Sequence, residues 1–160
     1  MYVRRSLQEK LNPPIYGWNN VRCPDFVAQE QMVFHSGARK FEAGSHSLFG
    51  VVGLVKALEL ILETGVGNIA QELLRKRSLL VPALQAKGYK VLQADAPPEA
   101  RSGLVSFFRP ANDLTAQHRK LQDAGIFTSL RVDRKGQKYI RLSPHFYNSD
   151  AELQRALELL

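Results

Sequence analysis

The sequence predicts an α+β fold in which helices back a small, mostly antiparallel sheet and an irregular N-terminal arm precedes both. Apolar residues recur at helical spacing over residues 48–62 and again over 66–87, which indicates two helices. Residues 126–143 have the composition of two strands around a turn with a glycine, which indicates a hairpin. Residues 12–40 show no periodicity that would support a core, so we expect them to lie against another surface.

The first forty residues predict only short elements. Residues 1–3 are typical of the end of a strand, and residues 5–11 of a short helix that Pro13 and Pro14 terminate. Residues 32–34 form a further possible short strand.

The two predicted helices carry glycines at informative positions. The first should end at Gly65, and Gly50 and Gly53 lie three residues apart on it, which favours close packing of another backbone. The second should end at Gly88, and Pro82 should kink its last turns. The residues that should face inward on the second helix are Ile69, Leu73, Leu80 and Leu84.

Further strands and helices complete the pattern. Residues 89–93 are typical of a strand, and residues 104–108 of a strand buried on both faces. Asn112 is a suitable N-cap for the helix that follows it. The last helix begins with the spacing of a capping box, Ser149 followed by Glu152.

Composition limits the functional classes. The chain has 160 residues, 44% of them hydrophobic, and a formal net charge of +7 with an isoelectric point near 9.8. Its 22 basic residues are spread along the chain, which favours solubility over a nucleic-acid-binding face. The alternative is a stand-alone module that holds nucleic acid with the basic hairpin 131–141, where Phe127 and Tyr139 add aromatic neighbours.

Cysteine and hydropathy patterns also exclude several classes of protein. The single Cys23 excludes an intrachain disulfide and a zinc site built from several cysteines. No apolar run approaches the roughly 20 residues that cross a membrane, since the longest, 48–62, contains Lys56 and Glu59. We therefore expect a cytoplasmic protein with no metal site and no membrane partner, in which Cys23 is buried or idle.

The stretch 41–47, with the sequence Phe-Glu-Ala-Gly-Ser-His-Ser, is a candidate phosphate-binding turn. Gly44 lets the backbone approach a ligand, the hydroxyl of Ser45 follows it, and a helix N-terminus lies just beyond. Free amides and the helix dipole would favour an anion there. The alternative is an ordinary N-cap, in which Ser45 or Ser47 accepts a hydrogen bond from an early helical amide.

Strand alternation separates Arg141 from the predicted core. Ile140 and Leu142 point to one face of their strand, so Arg141 points to the other. If helices cover the apolar face, the planar guanidinium is presented on the open face, where it suits a carboxylate. The alternative is a solvated surface arginine.

Five motifs follow one another along the chain: residues 41–45 with the glycine-bearing helix after them, 88–91, 102–107, 124–126 and 140–148. In order and spacing they resemble the C-terminal half of a class V aminotransferase. These are pyridoxal-phosphate enzymes of fold type I, related to cysteine desulfurases, selenocysteine lyases and kynureninases. The resemblance covers essentially the whole chain from Tyr2 onwards.

The resemblance implies roles for a few residues. In the family, the turn that matches Gly44 and Ser45 reaches across a homodimer to the phosphate of the partner subunit's pyridoxal phosphate. The segment that matches Trp18 lies near the same phosphate in kynureninase-like members. The arginine that matches Arg141 binds the α-carboxylate of the amino-acid substrate.

The resemblance also implies a division of the chain and two absences. Residues 1–46 correspond to the end of the large cofactor-binding domain, and residues 47–160 to the small C-terminal domain. The lysine that forms the Schiff base with the cofactor belongs upstream of Met1, so this chain alone should be catalytically inactive. No cysteine stands between residues 126 and 141, where a desulfurase carries its nucleophile, which leaves transamination, epimerisation and lyase chemistry open.

Overall fold

The computed structural model describes residues 2–22, 32–110 and 112–160, so Cys23 lies outside the described residues. The chain divides into two compact units, Met1–Leu58 and Glu59–Leu160. Compact units need not coincide with the domains of a longer protein, so the predicted domain boundary between residues 46 and 47 stays a prediction.

The first unit contains little regular structure. Its elements are helix α1 (Arg5–Gln8), a 3₁₀ helix (Gly37–Phe41) and the first part of helix α2 (Leu48–Thr64). α1 is shorter than predicted, and residues 2–4, expected to include the end of a strand, are not in a strand. The strand expected at 32–34 is reduced to one isolated bridge between Val21 and Phe34. At that bridge the amide of Arg22 donates to the carbonyl of Val33 at 2.8 Å and the amide of His35 donates to the carbonyl of Asn20 at 3.0 Å, so the pairing is too short for a strand. No strand among the described residues pairs with residues 2–4.

Helix α2 ends as predicted, because Gly65 follows it with a left-handed φ of 84°. None of its residues is buried, although most of them are apolar. Within the described part of the chain, no helix is long and apolar enough to cross a membrane.

The second unit confirms the predicted α+β class, with a four-stranded antiparallel sheet in the order β1-β2-β4-β3. The strands β2 and β4 are central, so the hairpin predicted at 126–143 forms one edge of the sheet as β3 and β4. Its elements after α2 are α3 (Val66–Ala86), β1 (Lys90–Val91), β2 (Val105–Phe108), α4 (Thr115–Asp123), β3 (Ser129–Val132), β4 (Lys138–Leu142) and α5 (Asp150–Leu159).

The core of the second unit lies between one face of the sheet and the helices α3, α4 and α5. Phe107 and Ile140 of the central strands are fully buried there, and Tyr89 packs edge-on against Phe107 with ring centroids 4.9 Å apart. Burial of these side chains supplies the main stabilising free energy. Their buried neighbours are Leu80, Val81, Leu84, Val105, Leu114, Leu121, Leu142 and Leu157.

Several sequence expectations for this unit need correction. β2 is buried on one face only, since Ser106 and Phe108 are half-buried. No second layer of described residues covers that other face. Asn112 does not cap α4; instead the carboxylate of Asp113 accepts a 2.8 Å hydrogen bond from the amide of Thr115. Pro82 lies inside α3 without ending it. The capping box of α5 is present as predicted.

Candidate functional site

The turn before α2 has free donors, and its capping residue is Ser47. The hydroxyl oxygen of Ser47 accepts a 3.3 Å hydrogen bond from the amide of Gly50. Ser47 therefore provides the N-cap, and the hydroxyl of Ser45 remains exposed and without a partner among the described residues. A Cβ placed on Gly44 would meet nothing within 4 Å, so the backbone there is open to an approaching group.

The backbone amides of residues 45–49 donate to no acceptor within the described residues, so the α2 N-terminus keeps its anion-binding capacity. The nearby carboxylate of Glu42 accepts a hydrogen bond from His46 at 3.0 Å and is partly neutralised when the imidazole is protonated. His46 precedes α2 by two residues. An exposed glycine turn, a hydroxyl and free amides together fit a phosphate group.

A second turn, which contains Trp18, packs against the segment that leads into this glycine turn. The amide of Asn19 donates to the carbonyl of Ala43 at 3.2 Å, and its side chain donates to the carbonyl of Glu42. Gly17 is essential to this contact, because a Cβ there would lie 2.1 Å from the carbonyl oxygen of Ala43. The structure therefore joins the two segments predicted to bind phosphate, and the Trp18 side chain stays 59% exposed beside them.

The residues that hold these turns together were not identified from the sequence. Asn20 is fully buried, and its amide group donates to the carbonyls of Ile15 and Lys40 at 2.9 and 3.1 Å. Its side-chain oxygen accepts from the amide of Gly17 at 3.1 Å. Paired asparagines after a glycine are a turn signal, but their burial depends on contacts with residues twenty or more positions away.

Arg141 lies on the face of the sheet opposite the core, as strand alternation predicts. It pairs in register with Ser106 of β2 and Ser129 of β3, while its neighbours Ile140 and Leu142 are buried on the other face. Both flanking strands therefore present small hydroxyl side chains beside the guanidinium.

The guanidinium of Arg141 has no hydrogen-bond or ion-pair partner among the described residues. Its Nε is buried from solvent and still unpartnered. A buried donor without an acceptor is costly, so its persistence indicates a place where an external acceptor would be favourable. A planar donor pair of this kind suits a carboxylate.

The loop after β4 adds a second unpartnered nitrogen. Nδ1 of His145 is buried and has no hydrogen-bond partner among residues 2–22, 32–110 and 112–160, and the imidazole stacks on Tyr147 with ring centroids 4.9 Å apart. The loop is held by the side chain of Asn148, which accepts from the amide of His145 at 2.8 Å. Nothing in the sequence indicates that Nδ1 of His145 lacks a partner among the described residues.

An ion network anchors the same loop to α3. Lys76 is 1% exposed, forms an ion pair with Glu72, and donates to the carbonyl of Phe146 at 3.4 Å. Arg75 binds Glu72 and also Asp150 at the start of α5. Hydrogen bonds from Arg75 and then Lys76 lower the pKa of Glu72 from 4.5 to about 2.

The basic hairpin proposed for nucleic acid is partly neutralised. Lys138 forms an ion pair with Asp113 at 2.9 Å, and the hydroxyl of Tyr139 donates to Asp133 at 3.0 Å. Arg134 and Lys135 are exposed at the turn.

Two buried lysines, Lys40 and Lys76, contact other side chains. Lys76 forms an ion pair with the carboxylate of Glu72, and Nζ of Lys40 lies 5.4 Å from the ring centroid of Phe41. Among the described residues, no group of three His, Cys, Asp or Glu side chains could hold a metal ion.

Comparison with known proteins identifies relatives along the whole chain. A family model described as Aminotransferase class-V matches residues 1–156. The uncharacterized aminotransferase YcbU of Bacillus subtilis (strain 168) is 28% identical over 159 residues, which are 99% of this chain and 39% of that protein. A probable cysteine desulfurase of Aeropyrum pernix is 29% identical over 110 residues, which are 66% of this chain and 27% of that protein. The chain thus spans two fifths or less of the length of these curated relatives.

Solved structures share the fold. The apo structure of a cysteine desulfurase from Thermococcus onnurineus NA1 matches with a TM-score of 0.81 at 20% identity, covering 99% of this chain and 40% of that one. A C-DES mutant with glycine covalently linked to its PLP cofactor matches with a TM-score of 0.79 at 24% identity, covering 98% of this chain and 40% of that one.

Proposed function

Because the chain belongs to the class V aminotransferase family, whose members depend on pyridoxal phosphate, we propose that it is the C-terminal part of such an enzyme acting on an amino acid. When bound, the cofactor withdraws electrons from the amino-acid substrate. Transamination, epimerisation and lyase reactions all use that property, and the proposal leaves these three open. In this proposal, the residues of this chain bind the substrate and the cofactor and orient them.

Arg141 is proposed to bind the α-carboxylate of the substrate. The observation that carries this role is its guanidinium, which lies on the open face of the sheet without any partner among the described residues. Two hydrogen bonds to a carboxylate would satisfy donors that the chain itself leaves unsatisfied and would fix the orientation of the substrate.

The Gly44–Ser45 turn and Trp18 are proposed to hold the phosphate of the cofactor. The support is local: the turn is open, the hydroxyl of Ser45 is uncommitted, and the Trp18 turn is hydrogen-bonded to the segment before Gly44. In the proposed homodimer these residues serve the partner subunit's cofactor, and residues 1–46 and 47–160 belong to different domains.

Two negative expectations belong to the same proposal. The lysine that binds the cofactor is proposed to lie outside these 160 residues, so the chain alone is inactive. Desulfurase chemistry is disfavoured because residues 126–141 contain no cysteine, although cysteine desulfurases are among the relatives. A cytoplasmic location is proposed on the composition and the single cysteine alone.

The carboxylate role can be tested by NMR on the 160-residue chain. We expect L-alanine to perturb the Nε–H resonance of Arg141, whereas L-alaninamide, which lacks the carboxylate, should not. Arg141→Ala should weaken L-alanine binding by about 1.5–3 kcal/mol, which is roughly a factor of ten to a hundred or more. Arg131→Ala is the matched control, because Arg131 is an exposed arginine on the same face of the sheet.

Equal perturbation by L-alaninamide, or equal weakening by Arg131→Ala, would remove Arg141 from this role. The alternative of a nucleic-acid module gains no support from the comparisons, and the ion pair of Lys138 with Asp113 reduces the charge of its hairpin.

A further inference from the structure

The face of the sheet that presents Arg141 also carries two aromatic side chains, Phe108 of β2 and Tyr139 of β4. Both alternate with buried residues of their strands, and each lies two positions along its strand from a member of the Ser106–Arg141 pair. Their ring centroids are 5.0 Å apart, at an interplanar angle of 57°. Phe108 and Tyr139, called the aromatic pair below, therefore lie beside the guanidinium on one face.

The separation between the aromatic pair and Arg141 fits the length of one amino acid. Two residues of a strand span about 6.8 Å, which sets the distance between the backbones of Tyr139 and Arg141. In an aromatic amino acid, three bonds of about 1.5 Å each connect the carboxylate carbon to the ring. A molecule whose carboxylate binds Arg141 can therefore place an aromatic ring on the aromatic pair, whereas a methyl side chain is too short.

The ring of Tyr139 is held in one orientation. Its hydroxyl donates to the carboxylate of Asp133 at 3.0 Å, in the turn between β3 and β4. The polar end of the side chain is therefore bound to the turn, and the carbon atoms of the ring remain available to a ligand. Rings at centroid distances of about 4.5–7 Å attract one another in offset or edge-to-face arrangements, so a third ring beside this pair would be favourable.

A groove next to the aromatic pair provides room for a large side chain. It has a volume of about 630 Å³ and lies between the segment that precedes α4 and the turn between β3 and β4. The charged side chains among its described lining residues are Asp113, Asp133, Lys135 and Lys138. Because two are acidic and two are basic, the groove attracts neither sign of charge, which favours an uncharged side chain.

We propose that the aromatic pair binds the side chain of the substrate, and that the substrate is an amino acid with an aromatic side chain. The role of the aromatic pair rests on the proposed function, because Arg141 must hold the carboxylate. The competing substrate is an acidic amino acid, since Lys90 pairs in register with Phe108, and Arg131 with Tyr139.

NMR titrations of the 160-residue chain with three amino acids test this assignment. L-phenylalanine should bind about five- to tenfold more tightly than L-alanine, which is the effect of roughly half-burying a phenyl ring. It should shift the ring resonances of Phe108 and Tyr139 as well as the Nε–H resonance of Arg141, whereas L-alanine should shift only the last. L-glutamate should bind no more tightly than L-alanine.

Substitutions at Tyr139 separate its ring from its hydroxyl. Tyr139→Thr keeps a residue suited to a strand but removes the ring, so it should lower the preference for L-phenylalanine over L-alanine about threefold or more. Tyr139→Phe removes only the hydroxyl and should keep the preference. Tyr2→Thr is the matched control, because Tyr2 is 88% exposed and lies outside the sheet. Circular dichroism checks the fold of each variant, and the titrations of the unchanged chain need no variant.

The outcomes distinguish this assignment from the carboxylate role. If both L-phenylalanine and L-alanine shift Arg141 but bind equally, the aromatic assignment is overturned and the carboxylate role stands. If neither shifts Arg141, both are overturned. Tighter binding of L-glutamate than of L-phenylalanine would assign the side chain to Lys90 and Arg131 instead. An unchanged preference in Tyr139→Thr, or its loss in Tyr139→Phe, would also contradict binding by the ring.

Discussion

At the scale of the residue, both candidate binding elements depend on groups that the chain leaves uncommitted. Ser47 accepts the capping hydrogen bond of α2, and this frees the hydroxyl of Ser45 and the first amides of the helix. Arg141 has a buried Nε that finds no acceptor in the described part of the chain. Residue type and strand alternation indicate both elements, but the sequence does not specify which serine provides the cap.

The contact between Gly17 and Ala43 gives a prediction at the same scale. Gly17→Ala would place a methyl group 2.1 Å from the carbonyl oxygen of Ala43, so the two backbones must separate. We expect a local loss of about 1–3 kcal/mol, as in other overpacked sites. Hydrogen exchange at the amide of Asn19, which donates to Ala43, measures this loss directly.

Gly53→Ala is the matched control for this substitution, since nothing lies within 4 Å of a Cβ at that position of α2. It should stabilise the helix by about 0.5–1 kcal/mol. Unchanged exchange at Asn19 in Gly17→Ala would contradict the tight approach of the two turns.

At the scale of the element, α3 and α5 are joined by ions as well as by apolar packing. Arg75 of α3 binds both Glu72 and Asp150, and Lys76 connects Glu72 to the loop after β4. This arrangement couples the stability of two helices to the protonation of one carboxylate. The sequence shows the i, i+3 and i, i+4 spacings on α3, but only the tertiary structure brings Asp150 to Arg75.

The pH dependence of unfolding tests this network. Because the folded pKa of Glu72 is about 2 and its ordinary value is 4.5, the carboxylate stabilises the folded state fully above pH 4.5. That contribution should decline as the pH falls from 4.5 towards about 2. The hydrogen bond from Arg75 also lowers the pKa of Asp150, so this carboxylate contributes to the same loss of stability at low pH.

Thermal melts between pH 2 and pH 7 would measure this effect. Glu72→Gln should lower the melting temperature at neutral pH by several degrees, because it leaves the buried Lys76 without its carboxylate. It should also reduce the fall in melting temperature as the pH drops from 4.5 towards about 2. Glu63→Gln is the control, since Glu63 forms no ion pair among the described residues, and an equal effect of both substitutions would contradict the role of Glu72.

At the scale of the whole molecule, the two compact units carry different parts of the proposed function. The unit Met1–Leu58 contains the turns proposed for phosphate, and the unit Glu59–Leu160 contains the arginine proposed for the substrate. The family match covers both units, which supports their origin in one enzyme fold.

The proposal that the cofactor-binding lysine lies outside these residues gives a prediction at this scale. After incubation with equimolar pyridoxal phosphate and reduction with borohydride, we expect intact-mass spectrometry to show no stoichiometric adduct. An ordinary surface lysine lacks the activated amine that such chemistry needs. Stoichiometric labelling of one lysine would show that the covalent centre lies within the chain. Lys40→Arg then provides the matched control, because Lys40 is the buried lysine of the first unit.

The sequence by itself determined the α+β class, the two long helices, the last hairpin, the capping box of α5 and the side of the strand on which Arg141 lies. Each of these depends on spacing along the chain, since periodicity and turn chemistry are local properties. The fully buried Asn20, the Arg75–Asp150 ion pair and the one-sided burial of β2 were decided only by the tertiary structure. Each depends on which distant segment covers or contacts a residue, and local sequence does not specify that.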